Sequence, residues 1–213
     1  MRSIIPTLTL TAAIAAPALA GISYTFDSDA QGWGIFSDGR DFQWDGTIGN
    51  NGLGAIRAVD ITAGNYWFFS APTTDLGDLS ALYGNSISYD ILGIQGNQSI
   101  DNRADIILSG GGIQIGIAAG VAPVLGQWTS WDILVDASAD WKIVSSATSA
   151  TLSSTDATEA DFQTVLANLS NLYIRGEYTS GSDQSAIDNV NFVPAPSTLA
   201  LLGLSTVAFR RRR

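Results

Sequence analysis

The chain has 213 residues, 46% of them hydrophobic and 14% charged, with six Trp, six Tyr and eight Phe. That suits one domain with a sizeable core. It has no Cys and no His, which excludes disulfides, thiol and Ser-His-Asp catalysis, and transition-metal sites built on those ligands. Twenty acidic residues between Asp27 and Asp188 face five basic ones, a net charge of −15 that repels nucleic acid and anionic lipid.

The chain opens with "MRSIIPTLTLTAAIAAPALAG". One early cation, an apolar run and the small-x-small sequence Ala18-Leu19-Ala20 predict a secretory signal peptide over residues 1–20, with Gly21 as the first mature residue. Pro6 and Pro17 suit a buried helix poorly.

The mature segment, residues 21–193, reads as short strands. "ISYTF", "GAIRAVDI", "SISYDIL", "ADIILSG", "GIQIGIAA", "TSWDILVD", "LYIRGEY" and "AIDNVNFV" are rich in β-branched or aromatic residues. Segments such as "GNNGLG", "SGGG" and "TSGSDQ" punctuate them. With no alternation of strand and helix, the pattern predicts an all-β antiparallel sandwich, of the jelly-roll kind. One helix is expected near 156–169, where Phe162, Val165, Leu166 and Leu169 make a single apolar stripe. Thr155 or Thr158 can cap its start, Glu159 and Asp161 suit its positive end, and Asn168 to Asn171 can end it.

The stretch from Asp161 to Phe192, with "VLANL", Ile174-Arg175 and Asn189-Val190, resembles the closing part of a laminin B (laminin IV type A) domain. Tyr66-Trp67, Leu76-Gly77-Asp78 and Tyr83-Gly84 resemble its first half, and "ADIILSGGG", "QWTSWDILV" and Trp141 its middle. The resemblance runs from Tyr24 to Phe192. It implies a jelly-roll sandwich, galactose-binding-like in architecture, that serves extracellular matrix construction and has no known catalytic role.

"TFDSDAQGW" and "AIDNVNF" resemble the ends of carbohydrate-binding sandwiches, where an early and a late carboxylate meet around a structural calcium. First and last strands pair in many jelly rolls, so Asp27 and Asp188, with Asp29, are candidate ligands for one Ca²⁺, a cation that takes six to eight oxygens. Among the tryptophans, Trp33, Trp67, Trp128, Trp131 and Trp141 read as core, whereas Trp44 in "DGRDFQWDGT" is the best candidate for an exposed sugar platform. Twenty acids make some glycosidase-like pair inevitable, so carboxylate pairs predict no enzyme. "SGGGIQIG" lacks Gly-Lys-Ser/Thr and a following helix, and reads as a turn between strands.

The chain closes with "VPAPSTLALLGLSTVAFRRRR". Ser197 to Phe209 is apolar or small but shorter than the roughly 20 residues of an ordinary membrane span. Arg210, Arg211, Arg212 and Arg213 form a cytoplasmic stop. Pro194-Ala195-Pro196, the apolar run and the arginines resemble the PEP-CTERM protein-sorting signal, with Ala195 where that family usually has Glu. The resemblance implies processing by an exosortase, a membrane attachment through the tail before processing, and a Gram-negative-type bacterium. It also implies a surface or matrix destination among exopolysaccharide.

These readings converge on an exported, non-enzymatic surface or exopolysaccharide-matrix protein, acting as a structural or adhesive module. The alternative is a carbohydrate-binding module that grips polysaccharide through exposed aromatics. Expected partners are exopolysaccharide, or another surface glycan or protein, and the exosortase; nucleic acid is not expected.

Overall fold

The computed structural model describes residues 21–60, 64–96, 101–179 and 181–193. The expected signal peptide and the sorting residues Pro194, Ala195, Pro196 and Arg210 to Arg213 lie outside these described residues.

The strands are β1 (Ile22–Tyr24), β2 (Gly34–Phe36), β3 (Arg40–Asp45), β4 (Ala55–Asp60) and β5 (Phe68–Ser70). Next come β6 (Ser86–Gln95), β7 (Ile106–Gly110), β8 (Ile113–Ile117), β9 (Trp128–Leu134) and β10 (Lys142–Val144). The last are β11 (Leu152–Asp156), β12 (Leu169–Arg175) and β13 (Asp183–Val193). They make two antiparallel sheets. One runs β3-β4-β13-β6-β9, with β1 also on β13; the other runs β11-β10-β8-β7-β12-β5-β2. The expected sandwich is therefore present, and all eight strands predicted from composition fall on observed ones. The five the sequence did not announce, β2, β3, β5, β10 and β11, are short or polar.

Alternation along each strand sends one set of side chains into the gap between the sheets. Ile87, Tyr89, Ile91, Trp131 and Ile187 enter it from the six-stranded sheet. Phe69, Ile106, Leu108, Ile115, Leu172 and Ile174 enter from the seven-stranded one. Trp67 and Trp141 are fully buried among them, each worth on the order of 2–3 kcal/mol by area removed from water. Among the described residues every buried member of this core lies between Tyr24 and Phe192, so residues 21–193 carry a core of their own.

The single helix, α1 (Glu159–Ala167), is capped by Thr158. Thr158 Oγ1 accepts from the Asp161 N–H and the Asp161 carboxylate accepts from the Thr158 N–H, two orphan donors satisfied together. The helix starts three residues later than the outer bound of the expectation, because Leu152–Asp156 is taken by β11. Phe162, Val165 and Leu166 are buried, and the Phe162 ring meets Trp141 and Tyr83. Gly111 and Gly112, both at positive φ, make the tight β7–β8 hairpin, as the glycine run predicts.

Candidate functional site

The edge of β13 is shared by two partners. β4 pairs with Asp183 to Ile187, and β1 pairs with Val190 to Phe192. Between them the chain bulges, and Asn189 takes a positive φ of 51°. The first and last strands therefore pair, and the change of partner leaves Asp188 in the gap.

Asp188 stands opposite Asp90 of β6, and Asp90 stands opposite Ser130 of β9. Since Ile87, Tyr89 and Ile91 point inward, alternation puts this row on the outer face of the six-stranded sheet. Water is nonetheless excluded: Asp188 is 0% exposed and Asp90 8%. The cover is the loop 46–54 between β3 and β4. Asn50 donates its backbone N–H to Asp188 and its amide N–H to Asp90, each at 2.8 Å. Asn189 donates its backbone N–H to Asp188 and its amide to Asp90, at 2.7 and 2.8 Å. Burial pushes the Asp188 carboxyl above the usual range, opposed by the Asn50 and Asn189 N–H groups and reinforced by the charges of Asp90 and Asp27.

Two indoles hold the loop. Trp128 Nε1 donates to the Ile48 carbonyl at 3.1 Å, and Trp44 Nε1 donates to the Phe26 carbonyl at 2.6 Å. The Trp44 ring lies on Gly54, where a Cβ would stand 2.3 Å from both Trp44 Nε1 and the Phe26 oxygen. Only glycine admits that approach. Asp27 enters through Asn51, whose amide donates to it at 3.3 Å.

Of the sequence candidates, Asp27 and Asp188 are thus both tied to the loop 46–54, through Asn51 and Asn50 respectively. Asp29 is exposed and accepts from the Gln31 N–H in its own turn at 2.8 Å. Trp44 is 38% exposed on the edge strand β3, with its indole N–H committed to Phe26. Trp33, Trp67, Trp131 and Trp141 are buried and Trp128 is half-buried. Asp90, Asn50, Asn51 and Asn189 were not singled out in the sequence, because only the strand register and the returning loop bring them to Asp188.

Calcium is the ion to test against this site. Among the described residues no three acidic side chains form a group ready to hold a metal. The oxygens here are the carboxylates of Asp188, Asp90 and Asp27, to which the Asn50, Asn51 and Asn189 amides turn their N–H groups. That set fits a hard cation completed by carbonyls and water.

A second acidic cluster lies at the start of β13. Asp183 pairs with Asp60 across to β4, and both are 0% exposed. Asp183 accepts from Trp67 Nε1 at 3.2 Å and the Tyr178 N–H at 2.8 Å; Glu177 accepts from the Trp67 N–H at 3.3 Å. Burial, with the neighbouring charges of Asp183 and Asp60, pushes Glu177 up to about 8. Burial also pushes Asp183 up to about 6. Beside it Arg175, 2% exposed, is sandwiched between the Tyr66 and Tyr178 rings and pairs with Asp101.

Residues 68–201, well over half of the chain, match the model for laminin B (domain IV). The chain belongs to the laminin B family. Residues 192–213 match the PEP-CTERM protein-sorting motif, so this laminin B chain carries the sorting motif of exported proteins from the end of its last strand onward. The L4b domain of human laminin alpha-2 is similar at TM-score 0.52 and 18% identity, over 70% of this chain and 83% of that one. A family 11 carbohydrate-binding module from a cellulosomal cellulase of Clostridium thermocellum is similar at TM-score 0.52 and 15% identity, over 86% of this chain and 97% of that one. An exo-beta-agarase is similar at TM-score 0.57 and 12% identity, over 84% of this chain but 25% of the agarase. At these identities the likeness is one of fold. No curated protein matches the laminin B chain. Among the described residues no helix is long and apolar enough to cross a membrane.

Proposed function

We propose that this laminin B chain is a bacterial surface or exopolysaccharide-matrix protein whose sandwich is a structural, adhesive and non-enzymatic module. The observation that carries this reading is the junction at its end: the sorting motif begins at residue 192, inside β13, so the sandwich is delivered to the envelope with no linker. The signal peptide over residues 1–20 exports it. Exosortase processing acts on Pro194-Ala195-Pro196, with the tail and Arg210 to Arg213 holding the chain at the membrane until then. The exposed, strongly acidic surface suits a partner met through cations or hydroxyls, a surface glycan or another surface protein.

One calcium ion belongs to this reading. Asp27 and Asp188 are the carboxylates that would hold it, with Asp90 opposite Asp188 on the next strand; Asp29 stands in the adjoining turn. Such an ion supplies charge to offset buried carboxylates and ties first strand, loop and last strand together, the role a disulfide fills in other exported domains.

The test is localisation in a bacterium that sorts PEP-CTERM proteins. The full chain is expected in the surface or matrix fraction, and a chain ending at residue 193 in the medium. Retention of both in the cytoplasm would overturn the reading.

The second reading is carbohydrate binding. It is supported by Trp44, exposed on an edge strand, and by a polar cavity on the other sheet. Saturable heat on titrating polysaccharide, with no released reducing ends, is the expected outcome; hydrolysis would make the chain an enzyme instead.

A further inference from the structure

The cavity of about 600 Å³ lies on the outer face of the seven-stranded sheet, away from the Asp188 site. Gln114 of β8, Ser109 of β7 and Asn171 of β12 stand opposite one another across three neighbouring strands and line it. Leu108 and Leu172 point into the core, so alternation turns this row outward. Val144 supplies apolar wall beside it, while Ile113 and Ile143, at its edge, pack their side chains against the core.

We infer that this cavity is the binding site for a neutral polysaccharide segment; the inference rests on the carbohydrate-binding reading and gives it a place. Three properties carry it. First, Ser109 is 5% exposed and its hydroxyl has no hydrogen-bond partner. A buried hydroxyl left unmatched costs about 1–3 kcal/mol, which a ligand hydroxyl recovers. Second, the neighbouring groups are uncharged and already ordered: Asn171 donates to Ser170 Oγ at 3.1 Å, and Ser170 Oγ donates to the Ser109 carbonyl at 3.0 Å. A row of hydroxyl and amide groups at strand spacing, about 4.8 Å, beside aliphatic wall matches a sugar chain, with hydroxyls at its rim and C–H faces. Third, among the described residues no cationic side chain lines the cavity and the one charged group is Asp161, which accepts from Thr158 N–H and Oγ1 at the helix cap. A uronate or sulfate would meet that carboxylate with no counter-charge. The ligand is therefore neutral.

The experiment titrates residues 21–193, which carry their own core, with cello-, xylo-, manno- and galacto-hexasaccharides and with polygalacturonate. At least one neutral hexasaccharide is expected to give saturable heat and polygalacturonate none. Ser109→Ala and Gln114→Ala are each expected to weaken that binding about tenfold, the worth of one good hydrogen bond. Ser109→Ala removes a buried hydroxyl that holds nothing in the free protein, so its melting temperature should not fall and the loss is one of binding. If a neutral sugar binds equally well to both variants, the cavity is the wrong place although carbohydrate binding stands. If polygalacturonate binds in preference, the ligand class is wrong. If no sugar binds, the carbohydrate-binding reading falls and the site with it.

Discussion

Asp188 on β13 and Asp90 on β6 stand directly opposite each other in neighbouring strands, both beneath the loop 46–54. Like charges so placed repel, and burial adds a desolvation cost. Asn50 and Asn189 offset part of it by donating to both carboxylates. A divalent cation would offset more. Calcium at about a hundred times its Kd stabilises a one-site protein by about 2.7 kcal/mol, which for a domain of this size raises Tm by about 5–10 °C. Thermal melts of residues 21–193 in calcium and in chelator check this, with Asp188→Asn losing the rise. Identical melts, with no metal in the purified protein, would remove the calcium site.

The loop itself is a second point of leverage. Gly54 lies where any Cβ would strike the Phe26 carbonyl and the Trp44 indole. Gly54→Ala must displace the Trp44 bond to Phe26 and loosen the cover over Asp188. A loss of about 2 kcal/mol or more is expected, read as a lower denaturation midpoint. An unchanged midpoint would mean that the loop closes without that contact.

The acidic cluster at the start of β13 sets a pH dependence. Glu177 is raised to about 8 and Asp183 to about 6, each first by burial, with Asp60 near both and Asp38 facing Glu177. The folded state therefore binds these protons more tightly than the unfolded chain, whose carboxyls titrate near about 4. Their contribution to stability is complete below about pH 4 and is lost as pH rises through about 6 and then about 8. Melting temperature is expected to fall between pH 6 and 8.5, and Glu177→Gln to flatten that slope. A wild-type profile flat across the window would contradict it.

Arg175 ties β12 to Asp101 between two tyrosine rings. Arg175→Met keeps much of the volume but leaves Asp101 and the buried Asp105 without their cation. About 3–5 kcal/mol is the expected loss for breaking a buried pair by one partner. Arg103 also lies over the Tyr66 ring, 5.0 Å from its centroid, and chemical denaturation of Arg175→Met and Arg103→Met separates the two cations; the first should be the costlier by a wide margin.

Export gives a prediction with a mass readout. Chains recovered from outside the cytoplasm should begin at Gly21, and replacement of Ala18 or Ala20 by Arg should leave the precursor uncut. Recovery of exported chains that still begin at Met1 would oppose it.

Much of this molecule is written locally. The "GIQIGIAA" and "SISYDIL" runs alternate, and they are strands. Thr155 or Thr158 could cap the helix, and the structure takes Thr158, with Asp161 completing the cap. The β-branched residues, the capping pair and the Gly-Gly turn act within a few residues of themselves, so their effect is legible without a fold. The short strands β2, β5 and β10 were not, because three residues carry no period and their pairing comes from neighbours far along the chain. Trp44 was legible as exposed, but its bond to Phe26 was not.

The sequence by itself determined the strand-rich class and the one helix. It likewise carried the tripartite ends that predict export. Only the tertiary structure decided that Asp90 and Asn50 meet Asp188, that Glu177, Asp183 and Asp60 share a buried corner, and that Ser109 lines a cavity. The physical reason is separation. Asp90 and Asp188 are 98 positions apart and Glu177 and Asp60 are 117 apart. Strand register, a property of whole sheets, is what sets such residues side by side.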